Sequence, residues 1–205
     1  IYLDRPHNPT GQVIPLETAE KMAREAMGKG IWIIIDEAYG DFIPDEESAA
    51  SIDLPNIVTC RSFSKGLGAA GLRVGYAVTR SPELASAFRT LQPPFAVGTL
   101  DSLLAEAILR DESYLHETRK YVRTAKEKMI EALKSKKGFT VAETDLRVPI
   151  ALLSQEAGDL AARLAGAGIS CEPGPGFLDL DERSVRLRVP SPAQLDEFLR
   201  RIDAL

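Results

Sequence analysis

Five apolar residues, Ile31-Trp32-Ile33-Ile34-Ile35, run without a polar break into Asp36. A half-exposed strand alternates apolar and polar residues; this run does not. It fits a strand covered on both faces, as in a parallel sheet with helices packed on it. It is far too short to cross a bilayer. Its surroundings agree. Residues 1–4 read as a strand and residues 6–11 as a Pro/Asn/Gly turn. Residues 15–29 form an amphipathic stretch, with Pro15 suited to a first helical turn and Gly28 and Gly30 to its end. Residues 56–61 and 72–79 are two further strand candidates. The alternation predicts an α/β core.

Residues 81–137 read as mostly helical. Ser81 suits a cap, with Glu83 in the first turn. A second helix starts at Thr99 or Asp101. Residues 113–137 form a long, charged, periodic helix that Gly138 stops. Beyond it, strands are expected at 146–153, 169–172 and 184–189, and helices at 154–167 and 191–205. Ser191 is the expected cap of the last helix, with Pro192 at its first position. The expected organisation is a mostly parallel large domain with the bridging helix over 1–137, and a small α+β domain over 138–205. The formal charge, 25 − 30 = −5, carries no nucleic-acid footprint. Two cysteines, Cys60 and Cys171, argue against a disulfide framework and for a reducing, cytoplasmic setting. The chain opens on Ile1, already inside a strand, and is expected to be a piece of a longer protein.

The chemically informative residues follow the predicted strand ends, where open α/β sheets bind ligands. They are Asn8-Pro9-Thr10-Gly11, Asp36-Glu37-Ala38-Tyr39, Ser62-Phe63-Ser64-Lys65 and Gly71-Leu72-Arg73. Taken singly, each has an ordinary reading: Asp36 as a cap, Lys65 as a solvated lysine, Arg73 as a surface arginine, Asn8 as a turn residue. The glycines around Lys65 lack phosphate-loop spacing. As a set, they answer one chemical need. A phosphorylated aldehyde such as pyridoxal 5'-phosphate requires a lysine for a Schiff base and an acid against its ring nitrogen. It also requires hydrogen-bond donors at the ring hydroxyl, and hydroxyls with a guanidinium at the phosphate.

These motifs, with Arg61 ahead of Ser62 and Ala70-Gly71-Leu72-Arg73-Val74-Gly75-Tyr76 after Lys65, resemble the fold-type I pyridoxal-phosphate enzymes of aminotransferase class I/II. The likeness is greatest to the histidinol-phosphate aminotransferase group and its relative, threonine-phosphate decarboxylase. The resemblance implies a partial aminotransferase-type large domain and a small α+β domain. It implies Lys65 as the Schiff-base lysine and proton carrier, and Asp36 at the ring nitrogen. Asn8 and Tyr39 would bind the ring hydroxyl, and Ser62, Ser64 and Arg73 the phosphate. Ser184-Val185-Arg186-Leu187 matches the segment of the substrate-carboxylate arginine. That makes Arg186 the candidate, with Arg188 on the same strand face. The implied partners are an amino acid, a 2-oxo acid and a second subunit in a homodimer, with no nucleic acid or membrane. The implied setting is amino-acid biosynthesis.

The sequence departs from the group at three places. Leu146-Arg147-Val148-Pro149-Ile150 lacks its Asn-Phe pair. Cys171-Glu172 stands where a Val-Arg pair is common, and Pro190 where a glycine is. A phosphorylated imidazole substrate is therefore not expected. Family members also carry a segment ahead of the Asn-Pro loop, with a stacking ring and a backbone turn for the phosphate. The 205 residues by themselves are thus expected to bind cofactor weakly or not at all, and to need that segment for activity. Two other readings share the scaffold: a decarboxylase or lyase, and a non-catalytic binding protein.

Overall fold

The computed structural model describes residues 1–205, with Glu112 described by its backbone alone. Four strands, β1 (Tyr2–Asp4), β2 (Ile33–Glu37), β3 (Ile57–Ser62) and β4 (Gly75–Thr79), lie side by side in that order. The first three are parallel, and β4 runs antiparallel to β3. Helix α1 (Leu16–Met27) crosses from β1 to β2. It buries Ala19, Ala23 and Ala26 against Ile33, Ile35 and Ile57. Alanine at this helical spacing leaves room for a close approach of helix to sheet. The buried Asn56 side chain donates to Ala23 O at 2.9 Å and Ile31 O at 3.1 Å, tying α1 to the entry of β2.

The apolar run is only half covered. Ile33 and Ile35 are buried, but Ile34 between them is 40% exposed and Trp32 lies outside the strand. Alternation turns Ile34 away from α1, and the face it shares with Tyr2 stays open. Between β2 and β3 the chain makes three short 3₁₀ turns, Gly40–Phe42, Asp45–Glu47 and Ala49–Ser51. Pieces this short show no periodicity to read in sequence. Helices α2 (Pro82–Leu91), α3 (Thr99–Arg110) and α4 (Glu112–Lys134) follow. Ser81 caps α2 as expected, its Oγ accepting from Leu84 N at 3.2 Å.

The chain packs as two compact units. The first is Ile1–Pro6 with Val13–Thr118; the second is His7–Gln12 with Arg119–Leu205. The division falls within α4 and assigns the Asn8 loop to the second unit. There an antiparallel sheet is ordered β5 (Phe139–Val141), β6 (Ile150–Gln155), β8 (Ser184–Arg188), β7 (Glu172–Pro173). Helices α5 (Leu160–Gly166) and α6 (Leu195–Asp203) complete it. Its core takes Val122, Ala125, Met129, Ile130 and Leu133 from α4, with Leu153, Leu164, Val185, Leu187, Phe198 and Ile202.

Several boundaries differ from the expected ones. β6 starts at Ile150, because Pro149 lacks an amide hydrogen for the ladder and Asp145 Oδ1 closes a turn on Arg147 N at 2.8 Å. α5 starts only after Gly158, at φ +85°, with Asp159 as its cap. Ser191 does not cap the last helix. Its hydroxyl donates to Gln194 Oε1, and a 3₁₀ turn, Pro192–Gln194, precedes α6. Among the described residues no helix is long and apolar enough to cross a membrane.

Candidate active site

In the first unit, strand register gathers the predicted residues at one edge. β2 and β3 are parallel, so Asp36, Tyr39 and the Ser62–Lys65 turn emerge at the same carboxyl end. Ser62 pairs with Gly75 at the start of antiparallel β4, which brings Arg73 to that edge as well. Asp36 is held at both oxygens. Ala38 N donates to Oδ1 at 2.8 Å, and the Tyr2 hydroxyl donates to Oδ2 at 2.6 Å. Tyr39 is buried, and Lys65 Nζ lies 5.4 Å from the centre of its ring. Lys65 is exposed, and its Nζ makes no hydrogen bond or ion pair among the described residues, while its carbonyl accepts from Gly68 N at 3.0 Å. Ser62 Oγ accepts from Ser64 N at 3.1 Å. Arg73 has a left-handed backbone, φ +55°, and donates through Nη1 to Ala70 O at 3.0 Å and Ser64 Oγ at 3.4 Å. Cys60 lies beside Asp36 in the ladder, and burial pushes its thiol up, with Asp36 adding to the effect.

A buried ionic network underlies these turns. Glu37 accepts from Arg5 at 3.2 Å, Ser48 Oγ at 2.5 Å, Ala49 N at 2.7 Å and Arg61 at 3.3 Å. Arg61 also reaches Asp41 at 3.2 Å. A Cβ on Gly66, the residue after Lys65, would sit 2.4 Å from Asp41 Cβ. The network thus ties the turn after Asp36 to the turn that carries Lys65. Sequence reasoning missed it, although Glu37 and Arg61 both lie inside the quoted motifs. Tyr2 was missed too. Its signal is positional: alternation along β1 puts it on the Asp36 face.

In the second unit, Asn8 and Arg186 are brought together. Arg186 Nη1 donates to Asn8 Oδ1 at 2.9 Å. Glu172 stands 3.9 Å from the same guanidinium, which lies 5.4 Å over the Phe177 ring. Arg186 is on β8, an interior strand, and its side chain is 24% exposed; Arg188 is exposed. Both line a cavity of about 490 Å³ with Glu172, Glu197 and Phe198. The Asn8 loop is pinned from behind. Asp145 N donates to Gly11 O at 3.0 Å. Lys126, fully buried, donates to Thr144 Oγ1 and to the carbonyls of Asp145, Val148 and Ile150 at 2.6–2.7 Å. Burial lowers its pKa to about 7, partly offset by Asp145. Lys126 interrupts the apolar stripe of α4, and that interruption was the signal available in the sequence.

Comparison with known proteins gives the chain its place. Residues 1–202 match the family described as aminotransferase class I and II. Histidinol-phosphate aminotransferase 1 of Dechloromonas aromatica is 36% identical over 138 residues, which is 65% of this chain and 38% of that protein. The aromatic amino acid aminotransferase of Streptomyces avermitilis is 31% identical over 204 residues, covering 98% of this chain and 54% of the relative. The crystal structure of histidinol-phosphate aminotransferase from Clostridium acetobutylicum superposes with a TM-score of 0.90 at 23% identity, over 99% of this chain and 62% of that one. L-threonine-O-3-phosphate decarboxylase from Porphyromonas gingivalis gives 0.83 at 24% identity, over 97% and 63%. These superpositions establish the fold, and the chain spans less than two thirds of each of these relatives. With the family match running almost end to end and the same fold recurring in the solved structures, the chain belongs to the aminotransferase class I and II family.

Proposed function

We propose that the chain serves pyridoxal-phosphate-dependent transfer of an amino group from an amino acid, or an amine derived from one, to a 2-oxo acid in amino-acid biosynthesis. One observation carries the reading. Lys65 stands exposed and without an ion-pair partner among the described residues, at the same strand-end edge as Asp36 and the Ser64–Arg73 pair. The donor set fits the cofactor: an acid, a phenol and an ammonium, with two hydroxyls beside a guanidinium able to meet phosphate oxygens.

When bound, the cofactor supplies an aldehyde for the amino group and a ring that takes up the electron pair left at Cα. This chain's residues do the rest. Lys65 would hold the aldehyde covalently through Nζ, and the same Nζ, when free, would carry the proton to and from the substrate's Cα. Asp36 would face the ring nitrogen. Tyr39 and Asn8 would donate to the ring hydroxyl, and Ser62, Ser64 and Arg73 would hold the phosphate. Arg186 would take the substrate carboxylate. Its hydrogen bond to Asn8 and its partial burial favour it over exposed Arg188. Glu172 beside Arg186 disfavours a phosphorylated side chain on the substrate. The proposal includes a cytoplasmic homodimer, a cofactor domain over 1–137 and a small domain over 138–205. The names of the relatives support the reaction class.

The test is borohydride reduction of the chain with pyridoxal phosphate, followed by intact mass and peptide mapping. One phosphopyridoxyl group on Lys65, absent in Lys65→Ala, is expected. Adducts scattered over surface lysines, or a single adduct that persists in Lys65→Ala, would sink the assignment. Cofactor recycling that depends on a 2-oxo acid then marks transamination, whereas carbon dioxide release marks decarboxylation.

A further inference from the structure

Asp36 is held from two sides, and one of the holders comes from a neighbouring strand. β1 and β2 pair in parallel with Tyr2 opposite Ile34 and Asp4 opposite Asp36. Alternation therefore places Tyr2, Asp4, Ile34 and Asp36 on one face, the face that α1 does not cover. Across it the Tyr2 hydroxyl donates to Asp36 Oδ2 at 2.6 Å, a length typical of a hydroxyl bonded to a charged acceptor. The Ala38 amide holds Oδ1 at 2.8 Å. With a different donor on each oxygen, the carboxylate cannot rotate without breaking a bond. A carboxylate oxygen has two acceptor sites, so Oδ2 keeps one free for an N–H.

Tyr2 has little else to do. It is 62% exposed and contributes nothing to the core beneath β2. Its bond to Asp36 pushes the phenol above the usual tyrosine range. Burial and the charges of Asp36 and Asp4 add to this, so the hydroxyl stays a donor through neutral pH. We propose that Tyr2 is the positioning residue of Asp36, its phenol and the Ala38 amide together fixing the carboxylate that meets the cofactor's ring nitrogen. This rests on the function proposed above.

The test uses the 205-residue chain, wild type and two variants, with two readouts. The first is a titration of the Tyr2 ring by ¹³C NMR without cofactor. Tyr2 is expected to titrate above the ordinary tyrosine value of about 10, and clearly lower in Asp36→Asn, where the bond and charge of Asp36 are lost while burial and Asp4 stay. Ordinary titration in the wild type would overturn the inference. The second is the affinity for pyridoxal phosphate against its deaza analogue, in which a C–H replaces the ring nitrogen. Tyr2→Phe, which keeps the ring and loses only the hydroxyl, is expected to weaken pyridoxal phosphate about tenfold. The same change is expected to leave the deaza analogue within about twofold. Equal losses for both compounds, or no loss, would overturn this inference alone. A wild-type chain in which borohydride fixes the bound pyridoxal phosphate on lysines other than Lys65 would overturn the proposed function, and this inference with it.

Discussion

Two buried charged residues, Glu37 and Lys126, make opposite demands on their surroundings. Glu37 is fully desolvated and satisfied by two guanidiniums, a hydroxyl and an amide. Such a group adds little net stability when complete, yet breaking it strands buried charge. Glu37→Gln is expected to cost about 3–5 kcal/mol in urea unfolding, since Arg5 and Arg61 lose their shared countercharge. Lys126 has carbonyls rather than a carboxylate around it. Its pKa of about 7 in the fold compares with about 10.4 for a free lysine. Between those values the unfolded chain binds the extra proton. Stability therefore rises with pH across that window, by at most about 1.4 kcal/mol per pH unit, and falls again toward pH 7. Urea titrations of wild type and Lys126→Met from about pH 7 to about pH 10 check this. The slope is expected to flatten in the variant, and an unchanged slope would assign it to another group.

At the scale of elements, the turn that carries Asn8 depends on a glycine. Gly11 has φ +76°, and a Cβ there would sit 2.4 Å from Ile150 O and 2.7 Å from Thr144 Oγ1. Gly30 shares the backbone strain, at φ +67°, but has open space around it. Alanine at Gly30 should cost about 1–2 kcal/mol from the left-handed backbone alone. Gly11→Ala should cost clearly more, because Ile150, the first residue of β6, must also move. Comparing the two by thermal unfolding separates local strain from tertiary contact. Equal costs would mean that the loop yields without disturbing β6. The cap of α5 gives a smaller expected effect. Asp159 accepts from Ala162 N at 2.8 Å, so Asp159→Ala should cost about 1 kcal/mol.

For the molecule as a whole, the notable feature is apolar surface. Phe95 is 98% exposed and Leu100 75%, and Leu103 and Leu104 continue the same stripe of α3. Such exposed apolar side chains, like those on the open face of the first sheet, are of the kind that drives association. Sedimentation velocity of the isolated chain should show concentration-dependent self-association, reduced by Leu100→Glu with Leu104→Glu. A chain that stays monomeric across the accessible concentrations would rule out this stripe as a contact surface.

Some of this protein is determined by the sequence alone, because it follows from local chemistry. The apolar run ending in Asp36, Pro15 and Gly28 around α1, and the Ser81 cap each state a preference of a few neighbouring residues. They place one strand and two helices without reference to the rest. The order of motifs likewise names the chemistry, since few functions need that set of groups after strand ends. Tertiary structure decided what depends on strand pairing and burial. Nothing local tells that Tyr2 reaches Asp36, that Glu37 is shared by Arg5 and Arg61, or that Arg186 rather than Arg188 meets Asn8. Nor could the unbroken run show that Ile34 lies open, because hydrophobicity records a side chain's cost in water and only the packed neighbours decide whether that cost is relieved.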